Sequence, residues 1–410
     1  MPAKFFEITL YGASINGPCS LSQASCEAAE SFGISISKQG IDDRYDASAV
    51  AFIRSLFEEQ VAKQVDGTID ADFLKRFNRV RIKDATRFDL PKRLKDSFPG
   101  FGGKVTSEAA LAIQYEFDVK NGKMLDVDIT SARRTDYQDA QEKAGDVLKG
   151  DLVIRDLGYF KTAVFKKIVE AEGFLISRLH SKILVFEQNG KEISFSKLYR
   201  KMARDKQSQL ELQVFIGQQE RLPVRLVVDV VPEAVYQHRL IKAQKEAKKK
   251  GHAVSDEFKA RARFNLMITN IPQDQLPCSQ VYQLYKIRWQ IELVFKAWKS
   301  TYGINKIHPM NYHRFMCLLY AKLLLIIING QIIGLLQRWL YEMYGKLLSR
   351  TKCFKTLSSY FFKIRKGLFN PEQKTTSFLP SLACLMSRNH WLEKRKNRTN
   401  YSELFDLFIS

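Results

Sequence analysis

A chain of 410 residues with 45% hydrophobic side chains carries enough apolar material for at least one sizeable core and for two to four domains, which excludes a disordered or collagen-like polymer. Its 65 Lys and Arg against 44 Asp and Glu leave a formal charge of +21, which points first to nucleic acid and second to an anionic membrane surface as partner. Cys19, Cys26, Cys278, Cys317, Cys353 and Cys384 form no CxxC pair and no zinc-like spacing, so they read as free thiols of a reducing compartment.

The start, MPAKFFEITLYGAS, lacks the apolar core of a signal peptide, and a cytoplasmic protein is expected. Residues 1–78 read as a helical, candidate DNA-binding region. Two short helices around Gly33, the second opened by Ser37 and Lys38, suit either a helix-turn-helix or plain packing. The pattern then turns to strands over residues 79–179. FNRVRIKDAT alternates and is expected to end near Asp84, and AALAIQYEFDV and KMLDVDITS flank Asn121-Gly122, a strong hairpin signal. A helix from Tyr137 to Leu148, the strand DLVIRD, a helix led by Gly158 and the strand FLISRLH follow.

Residues 180–260 read as a β-rich insertion: KILVFEQNGKEISF as a hairpin, LELQVFIG and PVRLVVDVV as strands, and KAQKEAKKK as a solvated helix or loop. Residues 261–340 return with the strand RARFNLMITN and a long helix from near Ser279 past Lys299. The apolar run Leu323–Leu336 is interrupted by Asn329, Gly330 and Gln331 and falls short of the roughly 20 residues of a bilayer span. It reads as a buried core helix, with no membrane partner. Residues 341–410 are basic and less patterned, a candidate dimerisation region. Helical ends around a three-strand meander and alternating strands and helices define an α/β chain, in the order of an RNase H-like core interrupted by the insertion.

Three carboxylates stand on elements that such a core brings together: Asp84, Asp156 after DLVIR, and Glu292 on the long helix. Phosphodiester transfer without a covalent intermediate needs an activated nucleophile and a stabilised leaving oxygen, which two Mg²⁺ ions about 3.5–4 Å apart supply, and Mg²⁺ prefers carboxylate oxygen. Asp89, Asp126 and Asp128 compete for the first position, the last two sharing one face of an alternating strand. Tyr285, Arg288, Glu292 and Lys299 fall within an arc of roughly 60° on an ideal helix. That stripe suits a metal-binding carboxylate flanked by phosphate-holding cations, and equally a surface stripe of Arg–Glu and Glu–Lys pairs.

In these residues the chain resembles the DDE transposases of bacterial insertion sequences, in the branch with a β-strand insertion before the glutamate. That branch carries Tyr, two residues, Arg, three residues, Glu, six residues, Lys, matched here by Tyr285, Arg288, Glu292 and Lys299. Asp84-Ala-Thr, Asp156 before Gly158-Tyr159, and FNLMITN with Thr269 and Asn270 also match, and the resemblance covers roughly residues 78–330. It implies an RNase H-like core in which Asp84, Asp156 and Glu292 hold two Mg²⁺ ions, with Mn²⁺ able to substitute. It also implies a nucleoid-associated bacterial homodimer that cleaves double-stranded DNA at terminal inverted repeats and joins the 3′-hydroxyl ends to target DNA. Tyr285, Arg288 and Lys299 would contact end DNA. Some relatives stack a flipped base on a tryptophan of the insertion; here Phe264, or Tyr236, would take that place. Leu157 stands where an arginine is common.

Overall fold

Alternating β-branched and aromatic runs form nine strands among the described residues of this computed structural model, which are 2–17, 19–64, 75–102, 107–369 and 378–393. Parts of the expected terminal regions, 65–74, 370–377 and 394–410, lie outside them. The chain divides into two units: Met1–Lys75, Ile82–Arg134 and Trp289–Ser410 form the first, and Arg76–Arg81 and Thr135–Arg288 the second.

In the first unit, β1 (Val80–Asp89, its first two residues counted with the second unit), β2 (Ala110–Asp118) and β3 (Met124–Ser131) lie in the order β3-β2-β1. β2 and β3 pair antiparallel around Asn121-Gly122, where Gly122 adopts φ 73°. The Asp118 carbonyl accepts the Gly122 N–H at 2.8 Å, closing the turn. β2 is buried along its whole length, and alternation gives it two unlike faces. Tyr115, on the apolar face, packs against Trp298 at 4.8 Å and Phe295 at 6.0 Å between ring centres. The helix Trp289–Thr301 is thereby seated on this face. The other face carries Gln114 and Glu116, opposite Asp128 and Asp126 of β3.

Near the N-terminus, the helix Leu21–Phe32 ends at Gly33 in the left-handed conformation. Ser37 opens Lys38–Asp42 by accepting the Gly40 N–H at 3.0 Å. The expected pair of helices exists, but the second spans only about 7.5 Å, little length for an element that must reach several base edges. The 33-residue helix Tyr312–Tyr344 packs on Pro2–Ser14, Ala47–Ala62, Arg350–Ser358 and Leu379–Asn389. It is long and apolar enough to cross a membrane, yet 67% of its most apolar window is buried inside the protein, as for a core helix.

In the second unit, β4 (Leu152–Arg155), β5 (Phe174–Arg178), β6 (Val185–Phe186), β7 (Gln209–Ile216), β8 (Leu222–Val230) and β9 (Phe264–Thr269) lie in the order β4-β5-β9-β8-β7-β6. β4 and β5 are parallel, joined through the helix Thr162–Glu170; the other pairs are antiparallel. Residues 180–260 therefore extend this sheet outward from β9. They are less purely β than expected, because the helices Phe195–Arg204, Glu233–Lys249 and Asp256–Ala262 outweigh their strands. The expected hairpin stops early, since Ser194 caps a helix by accepting the Lys197 N–H, and KAQKEAKKK continues a helix begun at Glu233.

Asp151, fully buried before β4, accepts from Arg79 Nε at 2.8 Å, Arg81 Nη1 at 3.2 Å and the Leu148 N–H at 2.9 Å. Removing one partner of a buried pair strands the others. Asp151→Ala is expected to cost about 3–5 kcal/mol in urea unfolding. A loss under about 1 kcal/mol, the value of an exposed pair, would show that these arginines stay solvated.

Candidate active site

β1 was expected to end near Asp84; it continues to Asp89, so Asp84 sits in mid-strand. The run ATRF keeps alternating, which lets pairing continue. Alternation places Lys83 and Asp84 on opposite faces. Lys83 is fully buried and pairs with Asp126 at 2.9 Å, and Asp128 pairs with Arg134. The competing acids of β3 are thus engaged on the polar face. Asp84, half-buried, accepts the Ala85 N–H at 2.8 Å and lines a pocket of about 600 Å³ with Glu292. Thr86, Arg87, Lys296, Lys299 and Lys306 are among the other residues of its wall. Lys299 Nζ donates to the Arg87 carbonyl at 3.4 Å, and burial pulls the Lys299 pKa down.

The expected single long helix is instead Cys278–Tyr285, a 3₁₀ turn Lys286–Arg288, and Trp289–Thr301. The tighter turn, with Ile287 fully buried in it, rotates the residues that follow by roughly 60° more than an unbroken α-helix would. The two units also part between Arg288 and Trp289. Glu292 and Lys299 belong with Asp84; Tyr285 and Arg288 belong with Asp156.

In the second unit, Asp156 follows β4 directly, as expected, and opens the turn Leu157–Tyr159. Its carboxylate lies 3.9 Å from Arg288 Nε. Tyr285, expected to contact end DNA, is only 4% exposed. Arg178 lies 5.4 Å over its ring. Burial pushes the Tyr285 pKa up, while Arg288 and Arg178 draw it down. Arg178 was missed in the sequence: it closes β5 beside the end of β4, a position visible only once the two strands are known to be parallel.

Phe264 is 3% exposed and packs edge-on against Tyr199 at 5.9 Å and beside Phe195 at 6.2 Å. Tyr236 is also buried, with Arg263 over its ring at 3.9 Å. Neither presents a free face to a base, which corrects the expectation of a stacking role: strand alternation turns Phe264 into the core. A cleft of about 750 Å³ in this unit is lined by residues that include Leu157, Arg178, Arg239, Lys242 and Lys250, and Phe258 presents an exposed ring to it.

Among the described residues no three His, Cys, Asp or Glu side chains form a ready-made metal cluster. The donor chemistry of the first unit's pocket nevertheless suits a hard divalent ion, since both Asp84 and Glu292 line it with carboxylates.

The chain belongs to the transposase DDE domain family, whose sequence pattern matches residues 75–328. It is 29% identical to the transposase for insertion sequence element IS231F of Bacillus thuringiensis subsp. israelensis, over 92% of this chain and 81% of that protein. It is 28% identical to the transposase for insertion sequence element IS1151 of Clostridium perfringens, over 92% and 83%. A shorter stretch, 27% of the chain, is 32% identical to the putative transposase InsL for insertion sequence element IS186A of Escherichia coli (strain K12).

If Phe264 is a core residue, Phe264→Ala should cost about 3–5 kcal/mol of stability, seen as a lower urea midpoint. A midpoint that did not move would mean the ring is free to serve a ligand instead.

Proposed function

We propose that this transposase binds the terminal inverted repeats of its insertion sequence, cleaves them, and joins the 3′-hydroxyl ends to target DNA. Asp84, Asp156 and Glu292 are its catalytic, metal-holding acids, carried on an RNase H-like core, and it acts as a homodimer on paired ends. The observation that carries this reading is the meeting of Asp84 and Glu292 in a pocket rimmed by Arg87, Lys296, Lys299 and Lys306, inside the family-matched region. Two acids alone would be a solvated pair. Two acids ringed by four cations suit a phosphodiester together with a divalent ion.

Mg²⁺ or Mn²⁺, held by the three carboxylates, would activate the attacking water or 3′-hydroxyl and neutralise charge at the leaving oxygen. The chain's own residues do the rest. Lys299 is half-buried with a weakened hold on its proton, and a phosphate beside it would favour the charged form. Arg288, beside Asp156, offers a planar fork suited to phosphate oxygens. Arg178, lying over Tyr285, adds a second guanidinium near the same acid. The buried Tyr285 serves as the surface against which these cations are held. The excess of positive charge supplies the sequence-independent part of DNA affinity.

Asp84→Asn, Asp156→Asn and Glu292→Gln should each lower Mn²⁺-supported nicking of duplexes bearing the element's own ends by at least about 100-fold, since loss of a few kcal/mol of transition-state stabilisation has that effect. Binding of the same duplex should persist. Near wild-type nicking by any of the three would remove that residue from the catalytic set. Transfer of a labelled 3′-end into a second DNA separates a transposase from a plain nuclease, and its absence would reduce the assignment to nuclease.

Arg288→Ala and Lys299→Ala should each flatten the log–log dependence of end binding on salt by about one unit. An unchanged slope would show that the side chain meets no phosphate.

A further inference from the structure

Besides Gln337, the apolar helix Tyr312–Tyr344 buries two polar side chains, Lys322 and Asn329, each 4% exposed. They stand seven residues apart, two helical turns, and so share a face. Both reach Tyr302, the residue just past the helix that carries Glu292. Lys322 Nζ donates to the Tyr302 carbonyl at 2.8 Å, and Asn329 Nδ2 donates to the Tyr302 hydroxyl at 2.6 Å. The two remaining protons of the ammonium go to the carbonyls of Ala13 at 3.0 Å and Ile15 at 2.9 Å, where the first helix ends.

An ammonium has three donors, and all three are used here on backbone carbonyls. Two helix C-termini, each the negative end of a dipole, meet on this one buried cation. Burial pulls the Lys322 pKa down to about 8. A residue that costs this much to bury is a poor choice for simple filling of an apolar helix.

The loop it grips forms part of the pocket wall. Ser300, Asn305 and Lys306 line the same space as Asp84 and Glu292. Asn16 ties in from the first helix's end: its Nδ2 donates to the Ser300 carbonyl at 2.6 Å, and its Oδ1 accepts from Lys306 Nζ at 3.1 Å. Gly303, at φ 56°, lies so close that an added Cβ would stand 2.8 Å from Asn16 Oδ1.

We propose that Lys322 is a positioning residue for transposition: together with Asn329 it clamps Tyr302, so that residues 300–306 hold the Asp84–Glu292 pocket in its working shape. This rests on the reading of that pocket as catalytic. Lys322 touches no reacting atom; it acts through the loop.

The test uses the full chain with Lys322→Met and, as a milder change that leaves the buried ammonium in place, Tyr302→Phe. Hydrogen exchange gives a readout independent of catalysis. The amides of Ile304 and Lys306, bonded to Trp298 and Gly303 carbonyls, should exchange at least about tenfold faster in Lys322→Met, as loss of a hydrogen bond to a charged group implies. Strand 110–118 should keep its wild-type protection. Single-turnover cleavage of pre-bound end DNA should slow at least about tenfold at unchanged binding affinity, with a smaller loss in Tyr302→Phe.

If Lys322→Met does not fold, Tyr302→Phe carries the test by the same two readings. Wild-type exchange at 300–306, or wild-type cleavage by a folded variant, overturns the proposal. So does equal loss of protection in strand 110–118, which marks a general stability role. A wild-type protein without metal-dependent cleavage overturns the catalytic reading as well; a cleaving wild type with unaltered variants overturns only the clamp.

Discussion

Side-chain alternation along β1 and β2 decides which face of the sheet Asp84 and Glu116 take. Neighbouring residues of a strand point to opposite faces, so fixing Lys83 on the polar face with Asp126 fixes Asp84 on the other. The same rule sends Glu116 toward Lys83's side and Tyr115 toward Trp298. An apolar contact between a strand tyrosine and a helix tryptophan thus sets the helix that carries Glu292 over the face that carries Asp84. The polar side absorbs the carboxylates left over. A slip of one residue in β1 would exchange the two sets.

The second unit arranges its own acid by different means. Two parallel strands end side by side, one at Asp156 and the other at Arg178, and a charge cluster around Asp151 anchors the first of them. Tyr285 lies beneath Arg178, and Arg288 faces Asp156. The chain passes from this unit to the other between Arg288 and Trp289. A signature that is contiguous in sequence is therefore shared between two bodies, each with its own core.

Much of this was legible in the residues. Asn121-Gly122 announced the β2–β3 turn, DLVIRD ended where its last aspartate stands, and the broken apolar run proved to lie mostly inside. What escaped reading had physical causes. Nothing local in ATRFD ends a strand, so Asp84 fell inside one. Periodicity assumes 3.6 residues per turn and cannot foresee the 3₁₀ step at Lys286–Arg288. Phe264 was placed by likeness, whereas burial depends on the sheet on either side of it. Arg178 acquires meaning only through a neighbouring strand 22 residues earlier, and Lys322 only through the Tyr302 carbonyl together with the Ala13 and Ile15 carbonyls far back in the chain.

The insertion's sheet finishes on β6, a strand of two residues, with Arg221 lying 3.4 Å over the ring of Phe186. Long bare strand margins invite other polypeptides to add on by backbone pairing, and natural sheets blunt them with brevity and charge. Here both devices occur together. At this margin the protein thereby gives little foothold to the unspecific sheet extension that leads to aggregates.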